Sequence, residues 1–167
     1  MIWLAFITWW VSTGGLPNGY EKVIWGMTPE ELQNITSVEK AESGGNFDYA
    51  EHLEDDPDVY IEMTQQRERI EYYFFEGRLY KIFIIYDRML YNTLFYDRLI
   101  GQVKKNFGSP SKTYEEEFLG LLVRHTFWED EVSTLDLRKG AGFVYQVRTQ
   151  KAMAERKALV QKRKKAI

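Results

Sequence analysis

An α+β domain, with helices packed on one face of an antiparallel sheet, is the fold that this sequence predicts, and three observations predict it. Runs rich in Ile, Tyr and Phe recur in two groups, and within each group they are split by short turn pairs, as in successive hairpins. One stretch of clear helical period, residues 92–107, lies between the groups. Strand and helix never alternate in the way a parallel sheet requires. A chain of 167 residues, 44% of them hydrophobic, suits a single core.

Taken in order, the elements justify that reading. After the turn signal Leu16-Pro17-Asn18-Gly19, residues 20–25 alternate as a strand and Gly26 ends it. Thr28-Pro29-Glu30-Glu31 starts a short helix: Thr28 caps, Pro29 suits the first turn, and Glu31 completes a capping box. Residues 41–58 are polar and acidic and read as an exposed loop holding one short strand around Phe47 to Tyr49. Residues 59–65, 69–75 and 78–86 form three antiparallel strands, with turns at Gln66-Arg67 and Glu76-Gly77. The helix over 92–107 places Leu94, Phe95, Leu99, Ile100 and Val103 on one side, and Gly108-Ser109-Pro110 stops it. Strands follow over 111–118, 121–128, 133–138 and 142–149, with turns at Gly120, Glu129-Asp130 and Gly140. The Ala-, Lys- and Arg-rich tail from Gln150 forms an exposed helix. The order fits two helix-plus-strands repeats, although no residue-level identity links the halves.

The domain organisation follows from composition. Residues 1–15 read as a signal-peptide remnant or an apolar N-terminal segment, 16–150 as one α+β domain, and 151–167 as a basic helical tail. The uncharged run Met1–Thr13 is shorter than the roughly 20 residues of a spanning helix, and Ser12 and Gly14 offer small residues for a cleavage point, but the usual positive leader is missing. The tail holds seven Lys/Arg against one acid, net +6, and the remainder 15 basic against 24 acidic residues, net −9. An acidic body therefore carries a basic tail. Cysteine is absent, which removes disulfides, thiolate nucleophiles and sulfur-ligated zinc.

Three segments together resemble a known group. Trp25-Gly26-Met27-Thr28-Pro29-Glu30-Glu31-Leu32, the helix end Val103-Lys104-Lys105-Asn106-Phe107-Gly108-Ser109-Pro110, and the strand pair Thr126-Phe127-Trp128 with Thr134-Leu135-Asp136-Leu137 are similar to small bacterial envelope domains of the BamE and beta-lactamase-inhibitor-protein type. The resemblance covers roughly residues 20–150. It implies helices layered on an antiparallel sheet and a noncatalytic binding or assembly role. The chain departs from the lipoprotein members in lacking cysteine, and its long basic tail is not a requirement of the group.

Candidate chemistry is sparse. The two histidines are His52, in the acidic loop with Glu51, Glu54, Asp55, Asp56 and Asp58, and His125, on a strand with Arg124 facing the other way. The loop lacks the spaced pattern of a calcium hand and reads as solvated. His125 reads as a structural histidine without the partners of a triad. Glu115-Glu116-Glu117 and Glu129-Asp130-Glu131 read as solvated turns and strand starts, and neither Gly14-Gly15 nor Gly44-Gly45 is followed by the lysine and helix of a phosphate loop. No catalytic residue, metal or cofactor is expected.

The unusual local feature is an aromatic stripe through residues 72–96. Successive strand residues face opposite sides, so both faces of these strands display aromatics, one for the core and one for a helix or a partner. The residues expected to bind are Tyr73, Phe75 and Tyr80 on the second face and Lys162, Arg163, Lys164 and Lys165 in the tail. The expected function is non-enzymatic protein binding or assembly in the cell envelope, in the periplasm, with no small-molecule substrate. The alternative is a cytoplasmic adaptor whose tail holds nucleic acid or an anionic membrane surface.

Overall fold

The computed structural model describes residues 15–41, 58–64, 69–86 and 93–166. The signal reading of the first residues, the strand around Phe47 and the acidic loop with His52 lie outside these. The chain is α+β, and its described residues form an eight-stranded antiparallel sheet, a small two-stranded hairpin and three helices.

A small hairpin, β1 (Gly19–Tyr20) and β2 (Val23–Ile24), replaces the single strand expected there, because Glu21 and Gly26 take positive φ and turn the chain. Helix α1 (Pro29–Gln33) begins on the expected capping box: the Thr28 hydroxyl accepts from the Glu31 N–H, and the Glu31 carboxylate accepts from the Thr28 N–H at 2.8 Å. The first group of strands is β3 (Glu39–Lys40), β4 (Asp58–Met63), β5 (Arg69–Phe75) and β6 (Arg78–Ile85). Helix α2 (Thr93–Phe107) leads into β7 (Lys112–Phe118), β8 (Leu121–Glu129), β9 (Ser133–Gly140) and β10 (Phe143–Gln150), and helix α3 (Lys151–Lys165) follows without a linker. Two hairpins, β5–β6 and β7–β8, close on two-residue turns with both residues at positive φ, Glu76-Gly77 and Leu119-Gly120. Such turns match the right-handed twist of the flanking strands.

The sheet order is β3-β4-β5-β6-β10-β9-β8-β7. Each half is thus a helix followed by a four-stranded meander, and the halves meet through their last strands, Phe83 facing Val147 at the seam. An antiparallel seam between equivalent strands is what two copies related by a two-fold axis would form. The expected pair of helix-plus-strands repeats is present in this order.

One sheet face carries α1, α2 and the β1–β2 hairpin over the main core, which joins Leu32, Tyr96 and Val103 of the helices to Ile70, Tyr72, Leu79, Ile82, Ile84, Leu135 and Leu137 of the strands. Two indoles pin this layer: Trp25 Nε1 donates to Ser133 Oγ at 2.9 Å and Trp128 Nε1 to the Gly108 carbonyl at 3.0 Å. Arg148 ties β10 to the small hairpin by donating to the Gly19 carbonyl at 2.8 Å while stacked on the Tyr20 ring. Its guanidinium, held below its usual pKa by burial, also donates to the amide oxygen of Gln146. Helix α3 lies against the other face, where Met153 and Ala154 pack on a second cluster of Val59, Tyr73, Tyr80, Phe83 and Val147.

Candidate functional site

The second face of the sheet is built from alternate residues of each strand, and the register sets them in rows that cross the sheet. One row runs Met63, Arg69, Ile85, Tyr145, Arg138, His125, Tyr114 from β4 to β7. The adjacent row runs Ile61, Glu71, Phe83, Val147, Asp136, Phe127, Lys112. Glu71 and Asp136 flank the seam at equivalent places, one in each half, and both are buried. Burial of a carboxylate is tolerated only when its oxygens are bonded. Arg69 meets Glu71 at 2.7 Å and the Tyr73 hydroxyl donates to it at 2.6 Å, while Asp136 accepts from Arg138 Nε at 2.7 Å and lies 2.9 Å from His125 Nδ1.

His125 therefore sits in a framed position. Asp136 orients the ring from Nδ1, Glu116 lies 3.6 Å from Nε2, and the Tyr114 ring stacks on the imidazole at 4.6 Å and 5°. Lys112 reaches over both Tyr114 and Phe127. Beyond Arg138 the aromatic line continues, with Phe143 stacked on Tyr145 at 4.4 Å and Tyr145 tilted against Phe83 at 5.2 Å. A carboxylate behind a histidine is a geometry that also serves bases, but here Asp136 is shared with Arg138 and the free side of the ring faces Glu116. Among the described residues no group of three or more acids and histidines could hold a metal ion.

The expected binding residues divide between the sheet face under α3 and the last turns of α3 itself. Tyr73 and Tyr80 are 1% and 5% exposed, and Phe75 is half-buried. Tyr73 also receives the Lys81 ammonium over its ring at 4.4 Å, and the Tyr80 hydroxyl accepts from Lys157 Nζ of α3 at 2.9 Å. Burial pushes the Tyr80 phenol up to about 12. In this arrangement a partner meets these rings only where α3 has moved aside. A register shift between Tyr73 and Phe74 lets Tyr80 join Lys81 on the second face, a displacement that simple alternation does not predict. Lys162, Arg163, Lys164 and Lys165 are exposed on the last turns of α3, with Arg156 on the same helix paired to Glu76 at 2.8 Å.

Over β7–β10 the face is aromatic and partly open: Tyr114 is 40% exposed, and Phe127, Arg138, Phe143 and Tyr145 are half-buried. Composition and alternation mark His125 as structural and give no signal at Tyr114, Arg138 or Tyr145. The signal lay in the hairpin registers, which put residues from four strands in one row. At the outer end, the β7–β8 turn projects Leu119, 74% exposed and at positive φ, and is followed by the exposed Leu121 and Leu122. An apolar side chain at a left-handed turn position costs conformational energy and keeps Leu119 in water. On the helical face, α2 and β7–β8 enclose a recess of about 380 Å³ lined by Asp97, Lys104, Glu115 and Arg124. Its charges are partly spoken for, since Arg124 is bonded to Glu115 at 2.8 Å. No helix among the described residues is long and apolar enough to cross a membrane. No family model matches the chain, and no curated protein or solved structure does either.

Proposed function

We propose that this is a non-enzymatic binding or assembly domain of the cell envelope, in the periplasm, and that it meets a protein partner on the sheet face over β7–β10. The observation that carries the reading is the row Tyr145, Arg138, His125, Tyr114, in which rigid aromatic and cationic side chains from four strands are fixed against one another before any partner arrives. Tyr and Arg are the side chains in which interface energy concentrates, and holding them in place beforehand lowers the entropic cost of association. The exposed leucines of the β7–β8 turn extend the surface with apolar area that a monomer in water gains nothing from showing. The resemblance to envelope binding domains in the helix starts and stops supports the same class.

The test is crosslinking and pull-down of the full chain in its own host, with intact mass and cell fractionation of what is recovered. Tyr114→Ala and Tyr145→Ala are expected to weaken capture of the partner by about tenfold or more while far-ultraviolet circular dichroism stays unchanged. Capture that is indifferent to both substitutions overturns the assignment of this face, and a purely cytosolic chain overturns the location.

The exposed basic turns of α3 favour a second reading, an adaptor held by the phosphates of nucleic acid or of an anionic membrane. That reading requires binding to anionic vesicles or nucleic acid that falls steeply with salt and vanishes on removal of residues 151–167.

A further inference from the structure

The two edges of the sheet are treated differently. One edge is closed off by β3, only two residues long. The other is β7, seven residues paired without interruption to β8 along one side, and terminal in the sheet of the described residues along the other. Short edges, edge prolines and edge charges are the usual means of stopping a sheet from growing. Strand β7 is neither short nor interrupted by proline, and its charges, Lys112, Glu115, Glu116 and Glu117, restrict which strand can pair with it. Its polar groups are also in phase. The Asp130 N–H bonds the Ser133 carbonyl at 3.0 Å, which assigns the even residues of β8 to β9 and its odd residues to β7. The even residues of β7 then bond β8, and Thr113, Glu115 and Glu117 direct their N–H and C=O groups away from the sheet.

We propose that β7 pairs antiparallel with β7 of a second copy of this chain, in the register that sets Tyr114 opposite Tyr114, joining two sheets into one. Charge chooses the occupant and the register. In this register Lys112 of each copy faces Glu116 of the other, so two opposite-charge pairs form on one side of the strand, and Thr113 faces Glu115, whose charge Arg124 already balances at 2.8 Å. Thr113 and Glu115 are outward-bonding residues, so this register exchanges main-chain hydrogen bonds between them without a bulge. Moving the centre to Glu115 sets that glutamate against itself, and moving it to Glu116 sets Glu116 against itself and Glu115 against Glu117. Centring on Thr113 leaves Lys112 opposite Tyr114 and no ion pair. An isologous strand pair of this kind closes on itself, so it ends at a dimer. The two readings share Tyr114, so Lys112, Thr113 and Glu116 carry the test of strand pairing and Tyr145, away from the edge, carries that of the partner face.

The experiment is sedimentation and native mass spectrometry of the full chain across the micromolar range, with four variants. The wild type is expected to dimerise. Lys112→Glu and Glu116→Lys each replace attraction by repulsion at both symmetric pairs and are expected to weaken the dimer by about tenfold or more, and the double swap restores it. Thr113→Pro removes an outward donor that β8 does not use and is expected to give a folded monomer by circular dichroism. A wild-type chain that is monomeric throughout overturns the proposal, as does a dimer indifferent to these changes. Single swaps that weaken a dimer which the double swap fails to restore overturn the register.

Discussion

The two halves of the sheet share one topology and spend it differently. In the first, β5 and β6 are buried on both faces, with helices and the small hairpin on one side and α3 on the other, and their sequences Arg-Ile-Glu-Tyr-Tyr-Phe-Phe and Arg-Leu-Tyr-Lys-Ile-Phe-Ile-Ile are apolar with little alternation. In the second, β8 mixes buried and exposed residues without a strict period and β7 is exposed along nearly all its length. A meander covered on both faces needs apolar residues everywhere, whereas one covered on a single face keeps the other for display. The same half-fold thus serves once mainly as core and once mainly as surface.

Core truncation in each half is expected to separate the two halves most. Ile82→Ala on β6 removes a side chain with no exposure and is expected to cost about 4 kcal/mol in urea unfolding, against about 1 kcal/mol for Val123→Ala on β8. Equal losses would show that the halves are equally packed. Next comes Arg69→Met, which leaves the buried Glu71 carboxylate with the Tyr73 hydroxyl as its remaining hydrogen-bond donor among the described residues and is expected to cost about 3 kcal/mol by the same measurement. Removal of residues 151–167 is expected to cost less, about 2 kcal/mol, because no residue of α3 is fully buried. Its clearer sign is increased binding of a hydrophobic dye, as Tyr73, Tyr80 and Phe83 meet water. An unchanged dye signal would mean that α3 does not shield this cluster.

The smallest effect concerns Asp130, at the turn between β8 and β9. Burial opposes its ionisation, but the N–H groups of Ser133, Val132 and Leu16 and the charge of Lys151 outweigh it and hold the carboxyl below its ordinary range. A depressed carboxylate adds stability above its unfolded pKa, near pH 4, and loses it as pH falls through the folded value. Asp130→Asn should therefore lower stability at neutral pH and flatten the acid limb of an unfolding profile. An acid limb as steep as that of the wild type would show that the turn does not depend on this charge.

Much of the fold was legible because its signals are local. The Thr28 capping box, the Gly108-Ser109-Pro110 stop and the Glu76-Gly77 turn depend on neighbours within a few residues, and helix and strand bounds fell close to where those signals put them. Strand β3 escaped notice because two residues carry no period. The place of α3 was harder to read. Its sheet-facing stripe, Met153, Ala154, Lys157, Val160 and Gln161, holds only three apolar residues, too few to distinguish from a solvated helix. The candidate face was less legible still, since His125 and Asp136 meet only once the β8–β9 register is known, and the tail's cover over Tyr80 only once β10 is set beside β6.

That seam has a consequence for how the chain is made. Strand β6 is the most apolar segment of the sheet, yet its partner β10 emerges from the ribosome only after the whole of α2 and three further strands; Tyr86 and Gln146, bonded at 2.9 Å, are 60 residues apart. For that interval β6 is an unpaired hydrophobic edge on a nascent chain, the state from which strands recruit strands from other molecules. Interrupted synthesis should yield an insoluble fragment, and the rate at which residues 93–150 appear should govern how much of the protein reaches its native state.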